Sequence, residues 1–332
     1  MAVPETTPLL AIDDLVLEFQ SRDGVVSVLN GVSYHVNAGE TLAVLGESGS
    51  GKSVTALAVM GLLDMPPARI VRGAVRYRGR DLLHLSDEER RDVRGREIAM
   101  VFQDALSALN PVFPVGWQIA ETLRVRTAAS KADALARAVE LMDRVRIPAA
   151  KSRVGDYPHQ FSGGMRQRVM IAMALALGPK VLIADEPTTA LDVTVQAQIM
   201  ELLAELRRET GMALVLITHD LGVVAGVADR IAVMYAGRIV EHADVHSLYR
   251  APAHPYTRAL LESIPRAGQT DALRPIEGLP PNLLRLPPGC AFHPRCGVRE
   301  AVCAVERPPD VTVGDGRVSA CHFADEVVSG RR

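Results

Sequence analysis

The sequence predicts an α/β protein built on a parallel sheet, and three observations lead to that prediction. From residue 163 onward, helical segments alternate with short buried strands, which is typical of parallel strands joined by crossover helices. A glycine-rich loop at residues 46–53 follows an apolar strand and precedes a helix. Residues 9–19 and 27–36 alternate apolar and polar side chains, as antiparallel strands with one exposed face do.

The first half of the chain supplies strands and then a helical insert. After a turn at residues 22–24, the predicted elements are a strand at 41–45, a helix at 54–63, and strands at 74–77 and 98–103. Between residues 115 and 146, apolar side chains recur at spacings of three and four, which predicts helices. We expect a helical subdomain over about residues 104–178.

The second half alternates helix and strand and then changes character. Its predicted elements are a helix at 165–177, a strand at 180–184, a helix at 193–210, a strand at 213–218 and a hairpin at 230–241 around Gly237. Two short helices follow. Residues 265–332 are rich in Pro and Gly and have little periodicity. We therefore predict one domain over residues 1–264 and a short irregular module over 265–332.

Composition describes an ordinary globular protein and excludes some classes. Of 332 residues, 23% are charged and the formal net charge is -2. The chain therefore has no overall positive charge that would attract nucleic acid, and nucleic-acid binding is disfavoured. Residues 1–7 are polar and lack the features of a secretory signal. The longest apolar stretches, 54–63 and 171–177, are shorter than the roughly 20 residues of a membrane span. Any work at a membrane would therefore be done together with other chains.

Residues 46–53, Gly-Glu-Ser-Gly-Ser-Gly-Lys-Ser, fit the pattern G-x-x-x-x-G-K-[ST]. The glycines let successive N–H groups converge on a phosphate at the N-terminus of the next helix. Lys52 adds a charge for the outer phosphates, and the Ser53 hydroxyl can ligate Mg²⁺. A chance Gly/Ser turn is the alternative, but the order strand, loop, helix favours a phosphate site.

Three later motifs complete a nucleotide site. Asp185 and Glu186 end an apolar strand, where the first acid can hold Mg²⁺ through water and the second can orient or deprotonate a water; solvated turn acids are the alternative. Residues 162–164, Ser-Gly-Gly, begin a helix and form a second anion site, although one nucleotide needs only one. His219 ends the next strand, where a γ-phosphate contact or a structural histidine would lie.

These motifs resemble, in type and order, those of the nucleotide-binding subunits of ATP-binding cassette (ABC) transporters, over residues 9–263. The matching positions are residues 46–53, Gln103, Ser162-Gly163-Gly164, Asp185-Glu186, Ala190-Leu191-Asp192 and His219. The resemblance implies an ABC-type P-loop NTPase fold, in which a parallel sheet core carries an antiparallel β subdomain and a helical subdomain. It also implies an ATPase that uses ATP and Mg²⁺.

In that family two domains bind head to tail, so that nucleotide held by the phosphate loop of one is covered by Ser-Gly-Gly of the other. The implied catalytic residues are Glu186 as base, His219 at the γ-phosphate and Gln103, with Ser53, Gln103 and Asp185 as Mg²⁺ ligands. The implied ATP contacts are Phe19, Gly46, Ser48, Gly49, Ser50, Gly51, Lys52, Ser53, Val54, Ser162, Gly163, Gly164 and Asp192. Phe19 would stack on adenine, with a core phenylalanine as the alternative.

Finer details resemble one branch, the bacterial dipeptide, oligopeptide and nickel importer ATPases. Ser50, Val54 and Thr188-Thr189 are similar to its D-type subunit, and His254-Pro255-Tyr256-Thr257 is typical of the branch. The resemblance implies an F-type ATPase partner, two permeases, an extracytoplasmic solute-binding protein, and a position at the cytoplasmic face of the bacterial membrane. Phe161 and Met165 depart from the usual L-S-G-G-Q, which puts the ATPase rate in question.

Several functions fit the motifs. Peptide import is the preferred function. The alternatives are import of nickel or another small solute, a soluble cassette ATPase that acts on ribosomes or DNA, and a non-catalytic structural cassette. Phe113, Pro114 and Trp117 would form an exposed apolar groove for a permease helix, unless they belong to the core.

The cysteines lie together in the C-terminal module: Cys290, Cys296, Cys303 and Cys321. Their spacing lacks the C-x₂-C of common zinc sites, and clustered thiols in a chain with no secretory signal argue against disulfides. Four cysteines suit [4Fe-4S] or Zn²⁺, and the resemblance to the importer tails implies the iron-sulfur cluster. His293 and His322 could replace a thiol, and four unligated thiols are the alternative.

Overall fold

The computed structural model describes residues 7–264, 275–314 and 316–332. The strands, in chain order, are β1 Leu10–Ser21, β2 Gly24–Val36, β3 Thr41–Leu45, β4 Ala68–Tyr77, β5 Arg80–Asp81, β6 Ile98–Val101, β7 Val181–Asp185, β8 Ala213–Thr218, β9 Arg230–Tyr235, β10 Arg238–Asp244, β11 Val311–Val313 and β12 Arg317–Ser319. The prediction made for residues 1–7 therefore lies almost entirely outside the described residues. Residues 265–274 and 315 of the predicted C-terminal module lie outside them as well.

The helices, in chain order, are α1 Lys52–Met60, α2 Asp87–Val93, α3 Ala105–Ala108, α4 Val115–Arg126, α5 Lys131–Arg144, α6 Ala150–Arg153, α7 Gly163–Leu175, α8 Val193–Thr210, α9 Leu221–Val224, α10 Val245–Arg250, α11 Pro255–Glu262, α12 Ala301–Val305 and α13 Ala324–Val328. None of the helices within the described ranges combines the length and the hydropathy of a membrane span.

The chain divides into two compact units. The first contains residues 1–36, 41–83 and 218–332, and the second contains residues 37–40 and 84–217. Both the phosphate loop and the cysteine region therefore belong to the first unit. The boundary predicted at residues 264 and 265 stays a prediction.

The first unit contains antiparallel strands in the order β2-β1-β4-β5. The β1–β2 hairpin closes at Ser21 and Gly24, which is slightly tighter than the predicted turn. Strand β4 begins earlier than predicted, because its antiparallel pairing with β1 continues as far as Ala68 opposite Phe19. On the exposed side of these strands, arginines of β4 pair with acids of β1, as in the Arg72–Asp14 pair. The face opposite these ion pairs buries the apolar half of the alternation, including Leu15 and Leu17.

The remaining strands of this unit pair with one another, beginning from β3, the strand that leads into the phosphate loop. Strand β3 is buried along its whole length and pairs in parallel with β9, and β9 pairs with β10 in the predicted hairpin around Gly237. Strand β12 pairs with β10 and with β11. The C-terminal region is thus less irregular than predicted, because it adds strands next to β10 and packs helix α13 against Ala253 and Val313.

The second unit contains the parallel strands β6, β7 and β8, paired in that order. Helices α4, α5 and α7 pack together, as the periodicity of residues 115–146 predicts. The start of α4 is held by backbone contacts, since the Gly116 N–H donates to the Val154 carbonyl at 3.0 Å. A Cβ at Gly116 would lie 2.1 Å from the Val154 side chain, so only glycine fits there.

Candidate nucleotide-binding site

The phosphate loop in the first unit has the geometry that its sequence predicts. Strand β3 ends at Leu45, and α1 begins at Lys52 with Gly51 as a left-handed N-cap at φ 107°. A Cβ at Gly46 would lie 2.2 Å from the Met234 carbonyl oxygen, and one at Gly51 would lie 2.8 Å from Leu29. The Met234 carbonyl therefore leaves no room for a side chain at Gly46, and the positive φ of Gly51 is one that other residues rarely adopt.

Two polar side chains of the loop, Lys52 and Ser50, are buried. Lys52 is only 5% exposed, and its Nζ donates to the carbonyl oxygens of Gly46 at 2.7 Å and Glu47 at 3.1 Å. Ser50 is buried, and its Oγ is one of the buried side-chain atoms that have no hydrogen-bond partner among the described residues. A buried hydroxyl without a partner fits a loop that closes around an anion.

The remaining predicted ATP contacts of this unit are more open. Ser48 and Gly49 are exposed, and Ser53 and Val54 are half-buried at the start of α1. Phe19 is half-buried on β1. His219 directly follows β8 and is exposed, and it makes interactions of its own.

In the second unit the predicted catalytic acid is held by two side chains. Glu186 follows β7 at a positive φ of 46°, and its backbone N–H donates to the Ile217 carbonyl at 2.8 Å. Glu186 Oε2 accepts from Gln103 Nε2 at 3.0 Å and from the Thr189 hydroxyl at 2.9 Å. Asp185, the last residue of β7, is buried. The structure therefore brings Gln103 and Glu186 together, a contact that the sequence alone does not predict.

The Ser-Gly-Gly segment begins α7 as predicted, because the Ser162 side chain is the N-cap and accepts from the Met165 N–H at 3.4 Å. Ser162 and Gly163 are exposed. A Cβ at Gly164 would lie 2.5 Å from Val195. Asp192 is exposed and caps α8 by accepting from the Val195 N–H at 2.9 Å.

The two residues that depart from the usual signature share a partner. Phe161 is buried and lies under the Arg153 guanidinium at 4.3 Å, and the Met165 sulfur lies 3.5 Å from the same arginine.

Phe113 and Trp117 lie on the surface near the start of α4. Their rings stack at 4.2 Å and they are 38% and 36% exposed. The expectation of an exposed apolar pair is confirmed for these two aromatics, and the alternative of core packing is wrong for them. Pro114 between them is half-buried.

The cysteines of the first unit are free thiols. Cys296, Cys303 and Cys321 are buried, and the Cys290 N–H donates to the Cys303 carbonyl at 2.9 Å. Burial raises the pKa of the Cys290 and Cys296 thiols and raises that of Cys321 to about 12, and neighbouring cysteines add to each shift. The donor set fits a soft metal, but the described residues contain no group of three or more His, Cys, Asp or Glu side chains that could hold a metal ion.

The histidines beside the cysteines make local contacts. His293 Nδ1 lies 2.9 Å from the Cys290 carbonyl oxygen, and His322 Nε2 lies 3.0 Å from the Glu306 carbonyl oxygen.

Sequence reasoning missed two side chains that contact the phosphate loop. Arg295 forms an ion pair with Glu47, and the Tyr256 hydroxyl accepts from the Glu47 N–H at 2.9 Å. The run His254-Pro255-Tyr256-Thr257 marked Tyr256 as belonging to a family motif. No local pattern marked Arg295.

Comparison with known proteins agrees with the motifs. The family model described as "ABC transporter" matches residues 29–189, and the model "Oligopeptide/dipeptide transporter, C-terminal region" matches residues 240–303. The chain is 48% identical to the probable peptide ABC transporter ATP-binding protein y4tR of Sinorhizobium fredii, over 98% of each chain. It is also 48% identical to the oligopeptide transport ATP-binding protein OppD of Haemophilus influenzae, covering 96% of this chain and 98% of that one.

Further similarities extend to another curated relative and to solved structures. The dipeptide transport ATP-binding protein DppD of Escherichia coli is 48% identical, over 95% of this chain and 96% of that one. The dimeric ATP-binding cassette MJ0796, solved in a post-hydrolysis state with ADP and Pi, has a TM-score of 0.64 at 28% identity, covering 71% of this chain and 98% of that one. The cbiO1 cassette of Clostridium perfringens has a TM-score of 0.63 at 26% identity, covering 74% and 92%.

Proposed function

This chain belongs to the ABC transporter family, in its oligopeptide/dipeptide branch of ATP-binding subunits, and from that premise we propose that it powers peptide import. It is an ABC-type ATPase. The observation that carries the proposal is the pairing of a cassette with an oligopeptide/dipeptide-type C-terminal region in one chain that is 48% identical to peptide transport subunits over nearly its full length.

The proposed chemistry is attack of water on the γ-phosphate of ATP. Glu186 acts as the base that takes the proton of the water, and its bonds to Gln103 and Thr189 fix the carboxylate in one orientation. Lys52 and the loop N–H groups bind the phosphates, and His219 contacts the γ-phosphate. Mg²⁺, held by Ser53, Gln103 and Asp185, would neutralise phosphate charge. Two further ATP contacts are proposed: Phe19 stacks on the adenine, and Val54 contacts the nucleotide next to the phosphate loop.

Closure of two cassettes couples this chemistry to movement. In the proposed arrangement, Ser162, Gly163 and Gly164 of one cassette cover the nucleotide of the other, and Asp192 communicates across the interface. The exposed positions of Ser162, Gly163 and Asp192 support this arrangement, because they leave the N-terminus of α7 accessible to an anion. ATP favours the closed pair and hydrolysis releases it.

The proposed partners are a distinct F-type ATPase subunit, two permeases and an extracytoplasmic solute-binding protein, with this chain at the cytoplasmic face of the bacterial membrane. The stacked and exposed Phe113–Trp117 pair supports contact with a permease helix, because an exposed aromatic pair offers apolar area for a helix to cover.

The proposed C-terminal metal centre is a [4Fe-4S] cluster, with Zn²⁺ as the alternative. Four free thiols in one region, three of them buried, support it, and ligation would require the thiols to move closer together than the structure places them. Such a centre would brace the C-terminal region. Anaerobic purification followed by iron and acid-labile sulfide analysis tests this: about four of each per chain supports the cluster, and iron-free, zinc-free, active protein contradicts it.

The cargo is tested by transport. A strain lacking the gene should lose uptake of labelled dipeptides or oligopeptides, and the wild-type gene should restore it. Titration of the cognate solute-binding protein with dipeptides, oligopeptides and Ni²⁺ identifies the cargo class. Binding of Ni²⁺ alone, with unchanged peptide uptake in the deletion strain, would contradict peptide import.

A further inference from the structure

Glu47, the second residue of the phosphate loop, is bound by a residue 248 positions later in the chain. Arg295 Nη1 donates to Glu47 Oε2 at 2.7 Å, and Nη2 donates to Oε1 at 2.9 Å. The two bonds form a bidentate pair, which is the strongest geometry for an arginine and a carboxylate. The side chains of Arg295 and Glu47 are only 6% and 23% exposed, so water screens this pair weakly.

A second contact reaches the same residue through its backbone. The Glu47 N–H donates to the hydroxyl oxygen of the fully buried Tyr256 at 2.9 Å. The Tyr256 ring lies 4.6 Å from the ring of Tyr235, whose hydroxyl is within 3.4 Å of Arg295 Nη1. Arg295 Nε also donates to the Glu277 carbonyl at 3.0 Å. Contacts with residues outside the loop therefore hold the side chains of Arg295 and Tyr256 in place.

The remaining polar group of Glu47 faces the loop itself. Its carbonyl oxygen accepts from Lys52 Nζ at 3.1 Å and from the Ser50 N–H at 3.2 Å. Glu47 thus joins two sets of contacts: its N–H and carboxylate bind C-terminal residues, and its carbonyl binds residues of the loop. A displacement of Glu47 would be transmitted directly to Lys52 and Ser50.

A simple attachment of the C-terminal region could use any surface of the first unit. The Arg72–Asp14 pair shows that a bidentate arginine–carboxylate pair also occurs away from the loop, where both side chains are exposed. The Arg295 and Tyr256 contacts instead converge on one residue of the phosphate loop. Loops that are held in their binding conformation bind ligand more tightly, because less freedom is lost on binding.

We propose that Arg295 is a positioning residue for ATP: together with Tyr256 it holds Glu47, and through Glu47 it fixes the phosphate loop in the conformation that binds nucleotide. This inference rests on the proposed ATPase function. It makes the C-terminal region part of the nucleotide site, although Arg295 itself does not touch the phosphates.

The test measures ATP binding and turnover in the full-length chain. We would titrate the wild type and each variant with the fluorescent analogue mant-ATP and Mg²⁺, and determine KM and kcat for ATP. Arg295→Ala should raise Kd and KM about tenfold, the scale of one charge-assisted hydrogen bond, while kcat changes less than about twofold. Arg295→Lys should have Kd and KM values between those of the wild type and Arg295→Ala, because lysine keeps the positive charge but cannot form the bidentate pair. Tyr256→Phe should raise Kd about threefold.

Three further variants separate positioning from mere attachment. Glu47→Gln should raise Kd much as Arg295→Ala does, and the double variant should be no worse than Arg295→Ala, because both changes remove one interaction. Arg72→Ala removes a matched pair away from the loop and should leave Kd, KM and kcat at wild-type values.

The outcomes are distinct. Unchanged Kd and KM in Arg295→Ala, with or without a lower melting temperature, would reduce the pair to an attachment and overturn the inference. If Arg295→Ala does not fold, Arg295→Lys and Tyr256→Phe decide, and wild-type Kd in both overturns the inference as well. A wild-type chain that neither binds mant-ATP nor hydrolyses ATP would instead contradict the proposed function.

Discussion

The side-chain amide of Gln103 donates a hydrogen bond to the carboxylate of Glu186 at 3.0 Å, across 83 positions of the chain. The same carboxylate oxygen accepts from the Thr189 hydroxyl at 2.9 Å. Two donors on one oxygen restrict the rotation of the carboxylate. The proposed base is therefore held in place by residues from two separate motifs.

Thr189→Val tests whether this orientation contributes to catalysis. Valine keeps the shape and removes the hydroxyl, so we expect kcat for ATP to fall about tenfold while KM stays near the wild-type value. Thr189→Ser keeps the hydroxyl and is the matched control, with kcat expected within about twofold of wild type. Equal kcat values for the valine and serine variants would show that the bond is irrelevant to turnover.

Gly46→Ala tests the close packing of the phosphate loop. The new Cβ would lie 2.2 Å from the Met234 carbonyl oxygen, so the loop must shift and mant-ATP affinity should fall by more than about tenfold. Gly49→Ala is the comparison: it has a positive φ of 77°, but no atom lies within 4 Å of the new Cβ. Its strain of about 1 to 2 kcal/mol should weaken affinity less. A larger loss at Gly49 than at Gly46 would contradict the packing explanation.

His254→Asn tests an acid-sensitive residue of the first unit. Burial lowers the pKa of His254 to about 3, and its Nδ1 accepts from the Tyr256 N–H at 3.0 Å. In the unfolded chain His254 binds a proton near pH 6.5, whereas in the folded chain it stays neutral until the pH approaches 3. The contribution of neutral His254 to the free energy of unfolding is therefore fully present above pH 6.5 and is lost as the pH falls toward 3. At pH 5 this residue should account for about 2 kcal/mol of lost unfolding free energy.

Urea unfolding at pH 7 and pH 5 provides the measurement for His254. Asparagine retains an acceptor for the Tyr256 N–H and does not titrate, so the variant should lose about 2 kcal/mol less than wild type between the two pH values. Other titrating groups are common to both proteins and cancel in the comparison. An identical pH dependence in both proteins would rule out His254 as the source.

Trp117→Ala tests the proposed permease contact. Loss of half of the stacked Phe113–Trp117 pair should abolish salt-resistant co-purification with the permease subunits, while mant-ATP affinity of the isolated chain stays at the wild-type value. Leu135→Ala removes another exposed apolar side chain, which is 40% exposed on α5, and should leave co-purification intact. Retention of the permeases by Trp117→Ala would place the contact elsewhere.

Local chemistry made much of the fold predictable. The phosphate loop, the Ser162 cap and the hairpin at Gly237 each depend on residues within a few positions of one another, and the structure confirms all three. Boundaries were less accurate where one propensity opposed another. Helix α7 begins at Gly163, two residues earlier than predicted, because the Ser162 cap outweighs the low helix propensity of two glycines.

Long-range contacts were not predictable in the same way. Nothing near Arg295 in the sequence identifies Glu47 as its partner, and nothing near Gln103 identifies Glu186 as the acceptor of its amide. Such pairs depend on the path of the whole chain. The β strands of the C-terminal region were missed for the same reason, since β12 is only three residues long and is stabilised by pairing with β10.

The measurement that tests the central claim most directly is made on Glu186→Gln. With Mg²⁺ and ATP, sedimentation of the variant mixed with its partner ATPase subunit should show a persistent dimer of cassettes, and hydrolysis should fall by at least about a hundredfold while mant-ATP still binds. Glu201→Gln, on the exposed face of α8, should behave as wild type. Wild-type turnover by Glu186→Gln, or cassettes that stay apart in ATP, would contradict the account.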